Sequence, residues 1–300
     1  MPSKGSSAET SDCRNEERPS ERLSPHDLCE AAVTYVLEEV DTVQYMLQAI
    51  EEITGKPFLR QRIKCLPSVP QTYKDTASAA TATERDRRLL HGQHAYAGYL
   101  WRRSRPDCDK GDVVLLEEHV AQHAHYEEKD GKEPSEAPET PAAAKPLVYH
   151  PRDPLPPDLK RDLFGRQSDL LSFVERNLRH ELVHAFDDSR GKIEPLDCMH
   201  QACSEIRAAR LSGDCFVWEE LQKRRFDFGR GGLACVQRRA RTALETNPLC
   251  RDFSERAIEN VFDKCYSDYE PFAAPIYGMG SYGDVRFPNS TWGNHEKKES

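Results

Sequence analysis

The sequence predicts an α+β domain, mostly α-helical, with a small sheet and a helical hairpin near its C-terminal end. Three observations carry that expectation. Apolar residues recur at helical spacing over long stretches of the chain, while the run Gly111 to Leu116 (GDVVLL) places β-branched residues after a turn signal. Charged residues make up 31% against 37% hydrophobic, and mean hydropathy is −0.77, too polar for all 300 residues to share one core.

Residues 1–22 mix Lys and Arg with Glu around no apolar segment and are expected to form a disordered tail. A domain is expected over residues 23–273. It opens with Ser24-Pro25, an N-cap followed by a first-turn proline. Leu28, Ala32, Tyr35, Val36, Val40, Val43, Met46, Leu47, Ile50 and Ile53 then follow a helical period that Gly55 and Pro57 end. Two helices bent near Asp41-Thr42 would pack this stretch more compactly than one. Flexible insertions are expected at about 69–109 and 126–160, the second rich in Glu, Lys, Ala and Pro.

Helical periodicity resumes from Ser168 to Asp188 through Leu170, Leu171, Val174, Leu178, Leu182 and Phe186. Further helices are expected over 198–211, 233–246 and 254–269, the last two separated by Asn247-Pro248. Residues 274–300 read as a C-terminal tail.

Net charge of −9 and a pI near 5.7 argue against a nucleic-acid binder working through a basic surface. No stretch approaches 18 consecutive apolar residues, so no transmembrane helix is expected and membrane association would be peripheral. The ten cysteines leave two readings open, reduced thiols or an oxidising compartment.

His180-Glu181-Leu182-Val183-His184 is an H-E-x-x-H motif inside a predicted helix. Residues four apart share a helix face, so both imidazoles can reach one ion, and Glu181 projects to the side, where it meets an attacking water. Zinc lowers the pKa of water to about 7, and a neighbouring carboxylate accepts its proton. The pattern predicts a zincin-like metallopeptidase site with His180 and His184 as ligands and Glu181 as catalytic acid/base. Asp187 and Arg190 stand where an extended motif would place glycine and a third histidine. The third ligand is therefore expected on the next helix, Glu205 in preference to His200, and the unused residue or Asp187 would orient the metal shell.

Glu118, His119, His123 and His125 also set two imidazoles four residues apart, but no Glu follows the first His, and solvated side chains are the expected reading. Lys223-Arg224-Arg225 and Arg238-Arg239 with Arg241 read as solvated helix faces, with contact to anionic lipid as a second possibility. Asn289-Ser290-Thr291 is a glycosylation triplet of low specificity.

The segment HELVHAFDD followed by ACSEIRAARLSGDC closely resembles the mitochondrial inner-membrane metallopeptidases of the ATP-synthase processing and assembly family. Supporting blocks are the early helix from Cys29 towards Cys65, Cys235-Val236 with the Arg-rich helix after it, and Val261 to Cys265 leading into Tyr269-Glu270-Pro271-Phe272. The resemblance implies a zinc endopeptidase in the intermembrane space, bound peripherally to the inner membrane. Its implied substrate is the precursor of a membrane subunit of the ATP synthase, whose assembly it would also assist. The alternative it carries is an assembly chaperone with a mainly structural zinc site. By position it implies His180, His184 and Glu205 as ligands and Glu181 as the catalytic residue, and it tips the cysteines towards disulfides. If residues 233–246 and 254–269 form an antiparallel hairpin, Cys235 would face Cys265, and a bridge between them is expected.

Two departures stand out. Where relatives carry a C-x-x-C this chain has Cys65-Leu66-Pro67-Ser68, and Leu116 occupies a cysteine position at the strand end, as if one disulfide had been lost as a unit. The insertions between residues 69 and 167 also exceed the family pattern. The strand Gly111 to Leu116 is expected to bind substrate by edge pairing.

Overall fold

In the computed structural model, residues 23–67, 97–101, 108–124, 154–191, 193–215, 224 and 232–272 are described. The two tails, His125, Lys223, Arg225 and the Asn289 triplet lie outside them.

The first apolar stretch forms two helices, α1 (Pro25–Glu39) and α2 (Asp41–Thr54). Ser24 caps α1 by accepting from the Asp27 amide, and α2 ends at Gly55 with φ +66°. The break is at Val40, whose backbone is extended. Gln44 stabilises it by donating from its side-chain amide to the carbonyls of Leu37 (3.2 Å) and Glu38 (2.6 Å), which α1 leaves without helical partners.

Three short strands form the sheet: β1 (Ile63–Leu66), β2 (Ala97–Tyr99) and β3 (Val113–Leu116), in the order β1-β3-β2. β1 runs parallel to β3, and β2 antiparallel. The expected strand thus starts two residues later than predicted, because Gly111 and Asp112 belong to the turn. Gly111 has φ +87°, and a Cβ there would strike the Arg62 guanidinium. β3 is the central strand and is buried along its whole length. Both its edges are paired, so it cannot bind substrate by edge pairing; among the described residues β1 and β2 are the edge strands.

Both expected insertions contain ordered elements. Strand β2 lies within 69–109, a three-residue strand too short to show a period of two. Within 126–160 begins α4 (Pro157–Arg166), following the short α3 (Glu117–Ala121). Leu155, Leu159 and Leu163 are buried, a spacing of four masked in the sequence by the prolines around it.

The long central helix α5 spans Ser168–Arg190, and α6 spans Cys198–Leu211 with Asp197 capping it through the amides of Met199 and His200. The pair α7 (Leu233–Thr246) and α8 (Ser254–Tyr266) completes the architecture, α8 ending three residues before the predicted 269. Helices α1, α2, α4 and α5 enclose one core with the sheet, built on residues such as Val36, Met46, Leu115, Leu163 and Leu178. A second, smaller core lies among α6, α7 and α8 around Ala202, Ile206, Val236, Leu244 and Phe262.

Disulfides stitch this smaller core. Cys198–Cys250 and Cys203–Cys265 tie α6 to the turn before α8 and to α8 itself, and Cys215–Cys235 ties the loop after α6 to α7. Cys29–Cys65 joins α1 to β1. The expected Cys235–Cys265 bridge is therefore wrong. Helix α6 packs against both members of the hairpin and supplies, or leads to, the partner cysteine of each. A core this small gains most from cross-links that restrict the unfolded chain. Cys108 is buried beside Val114 and Leu116, the latter being the position expected to hold a cysteine in relatives.

Candidate metal centre

Helix α5 carries the H-E-x-x-H motif on the face turned to α6, and the 3.6-residue period sets the two imidazoles edge to face with ring centroids 5.0 Å apart. Glu205 approaches from α6. One carboxylate oxygen lies 3.6 Å from His180 Nε2 and the other 3.6 Å from His184 Nε2. Donor atoms of these three side chains lie within 4.8 Å of one another, and no other group of three metal-ligating residues forms among the described residues.

Each histidine is oriented through its other nitrogen. His180 Nδ1 donates to Asp214 Oδ2 at 2.8 Å. His184 Nδ1 lies 2.8 Å from Ser204 Oγ, which donates to Asp187 Oδ2 at 3.1 Å. Because the serine proton is committed to Asp187, its oxygen accepts from His184. In the neutral form that metal binding requires, both imidazoles would thus carry their proton on Nδ1 and present the Nε2 lone pair to the space in front of Glu205. A tetrahedral ion with bonds of about 2.0–2.1 Å needs its ligand atoms roughly 3.4 Å apart, close to the 3.6 Å between each Nε2 and the carboxylate oxygen facing it, and two imidazoles with one carboxylate are a zinc donor set. The residues fit the ion.

The supports of these residues reach widely. Asp187 is buried, and although burial raises its pKa, Arg207 and Arg190 hold that rise back. Arg207 Nε meets it at 2.9 Å, and the same guanidinium donates to the backbone carbonyls of Asp268 and Glu270. Asp214 also lies in the interior, yet Arg239 and His180 outweigh its burial and hold its carboxyl well below the usual range. Arg239 Nη2 is 2.8 Å from the Asp214 oxygen that accepts from His180, and Arg176 faces the other oxygen at 3.6 Å. Arg179 steadies the loop that presents Asp214, donating to the Ser212 carbonyl at 2.9 Å and to Thr42 on α2 at 3.3 Å.

Glu181 is buried beside the group His180, His184 and Glu205 without joining it. Burial pushes its pKa up to about 7, against the lowering effect of His180 and of the Tyr99 amide that donates to it. The Leu100 amide is engaged with Asp112 on the β3 side, so strand alternation turns the Tyr99 amide outwards, along the edge of β2 away from β3. Tyr99 donates its hydroxyl to Asp188 at 2.7 Å, its ring meets Trp101 edge-on at 4.9 Å, and Trp101 in turn meets the His184 ring at 5.7 Å. This aromatic pair walls the metal ligands on the sheet side. Burial lowers His184 to about 4, whereas at His180 the lowering by burial is overridden by Asp214 and Glu205, which hold it at about 10.

Of the residues predicted from sequence, His180, Glu181, His184 and Glu205 come together. His200 does not. Its Nδ1 accepts from the Glu194 amide at 3.0 Å on the exposed first turn of α6, one and a half turns from Glu205. Asp187 does orient the site, through Ser204. Of the other histidine cluster, His123 stacks on Phe173 with centroids 4.0 Å apart, outside the metal group. Arg239 is not merely a solvated face residue, since it reaches Asp214; Arg241 pairs with Glu255 at 3.0 Å on the surface. Asp214, Ser204, Arg239, Tyr99 and Trp101 are the residues sequence reasoning missed. Only Ser204 and Asp214 had a signal, as polar residues inside the ACSEIRAARLSGDC block.

Residues 167–273 match the Peptidase M76 family. The mitochondrial inner membrane protease ATP23 of Kluyveromyces lactis is 45% identical over 105 residues, 33% of this chain and 42% of the relative. That of Saccharomyces cerevisiae is 43% identical over 105 residues, covering 33% and 46%. The Xenopus laevis homolog of ATP23 is 40% identical over 130 residues, 42% of this chain and 53% of the relative. The matched segment thus spans about half the length of these relatives. No solved structure matches the chain.

Proposed function

We propose that this chain, a member of the Peptidase M76 family through residues 167–273, is a zinc-dependent, zincin-like endopeptidase of the mitochondrial inner membrane. The observation that carries the reading is the convergence of His180, His184 and Glu205 beside a buried carboxylate, Glu181, that is not needed as a ligand.

His180, His184 and Glu205 would hold the ion. When bound, zinc supplies Lewis acidity, lowering the pKa of water and polarising the scissile carbonyl. Glu181 takes the proton of the attacking water and delivers it to the amide nitrogen as the C–N bond breaks. A carboxyl poised near neutrality suits both transfers. The Tyr99 amide keeps that carboxylate aimed, and Asp214 and Ser204 keep the two imidazoles from rotating away. Strand β2, with one edge unpaired in the sheet and alongside Glu181, is the edge on which an extended peptide would align. A mainly structural ion in an assembly chaperone has no use for a buried acid beside its ligands.

The relatives are named as proteases of the mitochondrial inner membrane, and we assign the same place of work to this chain. No described helix is long and apolar enough to cross a membrane, which suits peripheral attachment, and four disulfides suit the intermembrane space. The substrate we assign is the precursor of an ATP synthase membrane subunit, with assistance to ATP synthase assembly as a second role. The resemblance of residues 180–188 and 202–215 supports that assignment. Quantitative profiling of protein N-termini in cells carrying wild type or Glu181→Gln tests it. The variant should accumulate an unprocessed ATP synthase subunit, and identical N-termini in the two strains would overturn the enzyme reading.

A further inference from the structure

We propose that Arg239, on α7, is a positioning residue for the metal centre, acting on His180 through Asp214. The inference rests on the reading of His180, His184 and Glu205 as metal ligands.

Asp214 stands between competing partners. Its Oδ2 accepts from His180 Nδ1 and forms an ion pair with Arg239 Nη2, each at 2.8 Å, while Arg176 faces Oδ1 at 3.6 Å. Arg176 and His180 sit one turn apart on α5, so a carboxylate attached only to α5 can swing towards the guanidinium, the stronger cation, and release the imidazole. Arg239 approaches from another helix and fixes the oxygen that His180 needs. Two covalent features hold it in place. The Cys215–Cys235 bridge joins the residue after Asp214 to α7 one turn before Arg239, and Cys203–Cys265 fastens α6, two residues before Glu205, to α8. The disulfide-bound helices therefore reach the site at two points, Glu205 directly and Arg239 through Asp214. The Arg239 side chain is 41% exposed, too open for its ion pair to serve mainly as a source of stability. Its structural worth is small; its directional worth is not.

The test compares Arg239→Gln, Arg239→Lys and, as a control on the same helix, Arg241→Gln, whose parent residue pairs with surface Glu255. Each full-length, oxidised protein is loaded with Co2+, its visible absorption spectrum recorded, and Zn2+ retention measured against a chelator. Arg239→Gln should hold zinc about tenfold more weakly, as loss of an outer partner of a metal-binding histidine does. Its cobalt bands should shift, its metal-free melting temperature should stay near wild type, and Arg239→Lys should recover part of the loss. Wild-type spectrum and retention in Arg239→Gln would overturn the proposal, as would an equal loss in Arg241→Gln or a loss matched by collapse of metal-free stability in both Arg239 variants. A wild-type chain that takes up neither Co2+ nor Zn2+ would instead overturn the metal reading itself.

Discussion

Arg207 and Asp187 form an ion pair in the interior of the protein, 2.9 Å apart, with the two side chains 1% and 3% exposed. The pair sits directly behind His184, because Asp187 accepts from the serine that orients that imidazole. Arg207 also holds the chain at Asp268 and Glu270 against α6. Replacing it strands a buried carboxylate. Arg207→Leu is therefore expected to lose roughly 3–5 kcal/mol in urea unfolding. The double variant with Asp187→Leu should regain much of this, and a single variant as stable as wild type would show that the pair is inert.

Glu181→Gln separates chemistry from metal binding. The amide keeps the size of the side chain but cannot accept the proton of the attacking water. Peptide hydrolysis should fall about 10²–10⁴-fold, while elemental analysis still finds one zinc per chain. Unchanged hydrolysis would remove Glu181 from the reaction.

The choice of third ligand is checked by two substitutions on α6. Glu205→Gln removes the carboxylate that faces both Nε2 atoms and should abolish stoichiometric zinc at micromolar concentration. His200→Ala alters only the bond from the Glu194 amide and should leave zinc content intact. Zinc lost from the second variant and kept in the first would reverse the assignment.

The metal-free protein should lose stability as the solution becomes alkaline. His180 is raised from 6.5 to about 10, because Asp214 and Glu205 outweigh its burial. A raised histidine contributes fully below its unfolded value and ceases to contribute as pH climbs through its folded one, here between about 6.5 and 10. Zinc replaces the proton on Nε2, so the loaded protein should lack this decline and release a proton on binding. Melting temperatures across that window, with and without zinc, provide the check; parallel curves would count against the pairing with Asp214.

The Cys203–Cys265 bridge closes a separation of 62 residues. Replacing both cysteines with serine should cost about 2–4 kcal/mol, read by denaturant unfolding under non-reducing conditions. Loss should fall first on the smaller core, followed by the environment of a fluorescent label on α8.

The chain order of this protein already contained the two imidazoles, Glu181 and the helices that carry them. A helix has a fixed period, so residues four apart must share a face, and a stretch such as Leu170 to Phe186 must bury one side. The break at Val40 and the approach of Glu205 from the next helix followed from the same reasoning, since neither needs a contact beyond neighbouring elements. Asp214 belongs to the other kind of knowledge. It stands 34 residues from His180 on a loop with no period, and only the packing of α6 against α5 brings it to the ring. Strand β2 was hidden because three residues cannot display alternation, and β3 was recognised as a strand but not as a central one, because pairing is a property of two chains of residues rather than one. The disulfides make the point most plainly. The sequence supplied the cysteines, and a flat hairpin would have joined Cys235 to Cys265; the third helix lying against both decided otherwise. Local geometry is written in spacing, whereas partners distant in sequence are chosen by whichever surfaces bury the most apolar area together.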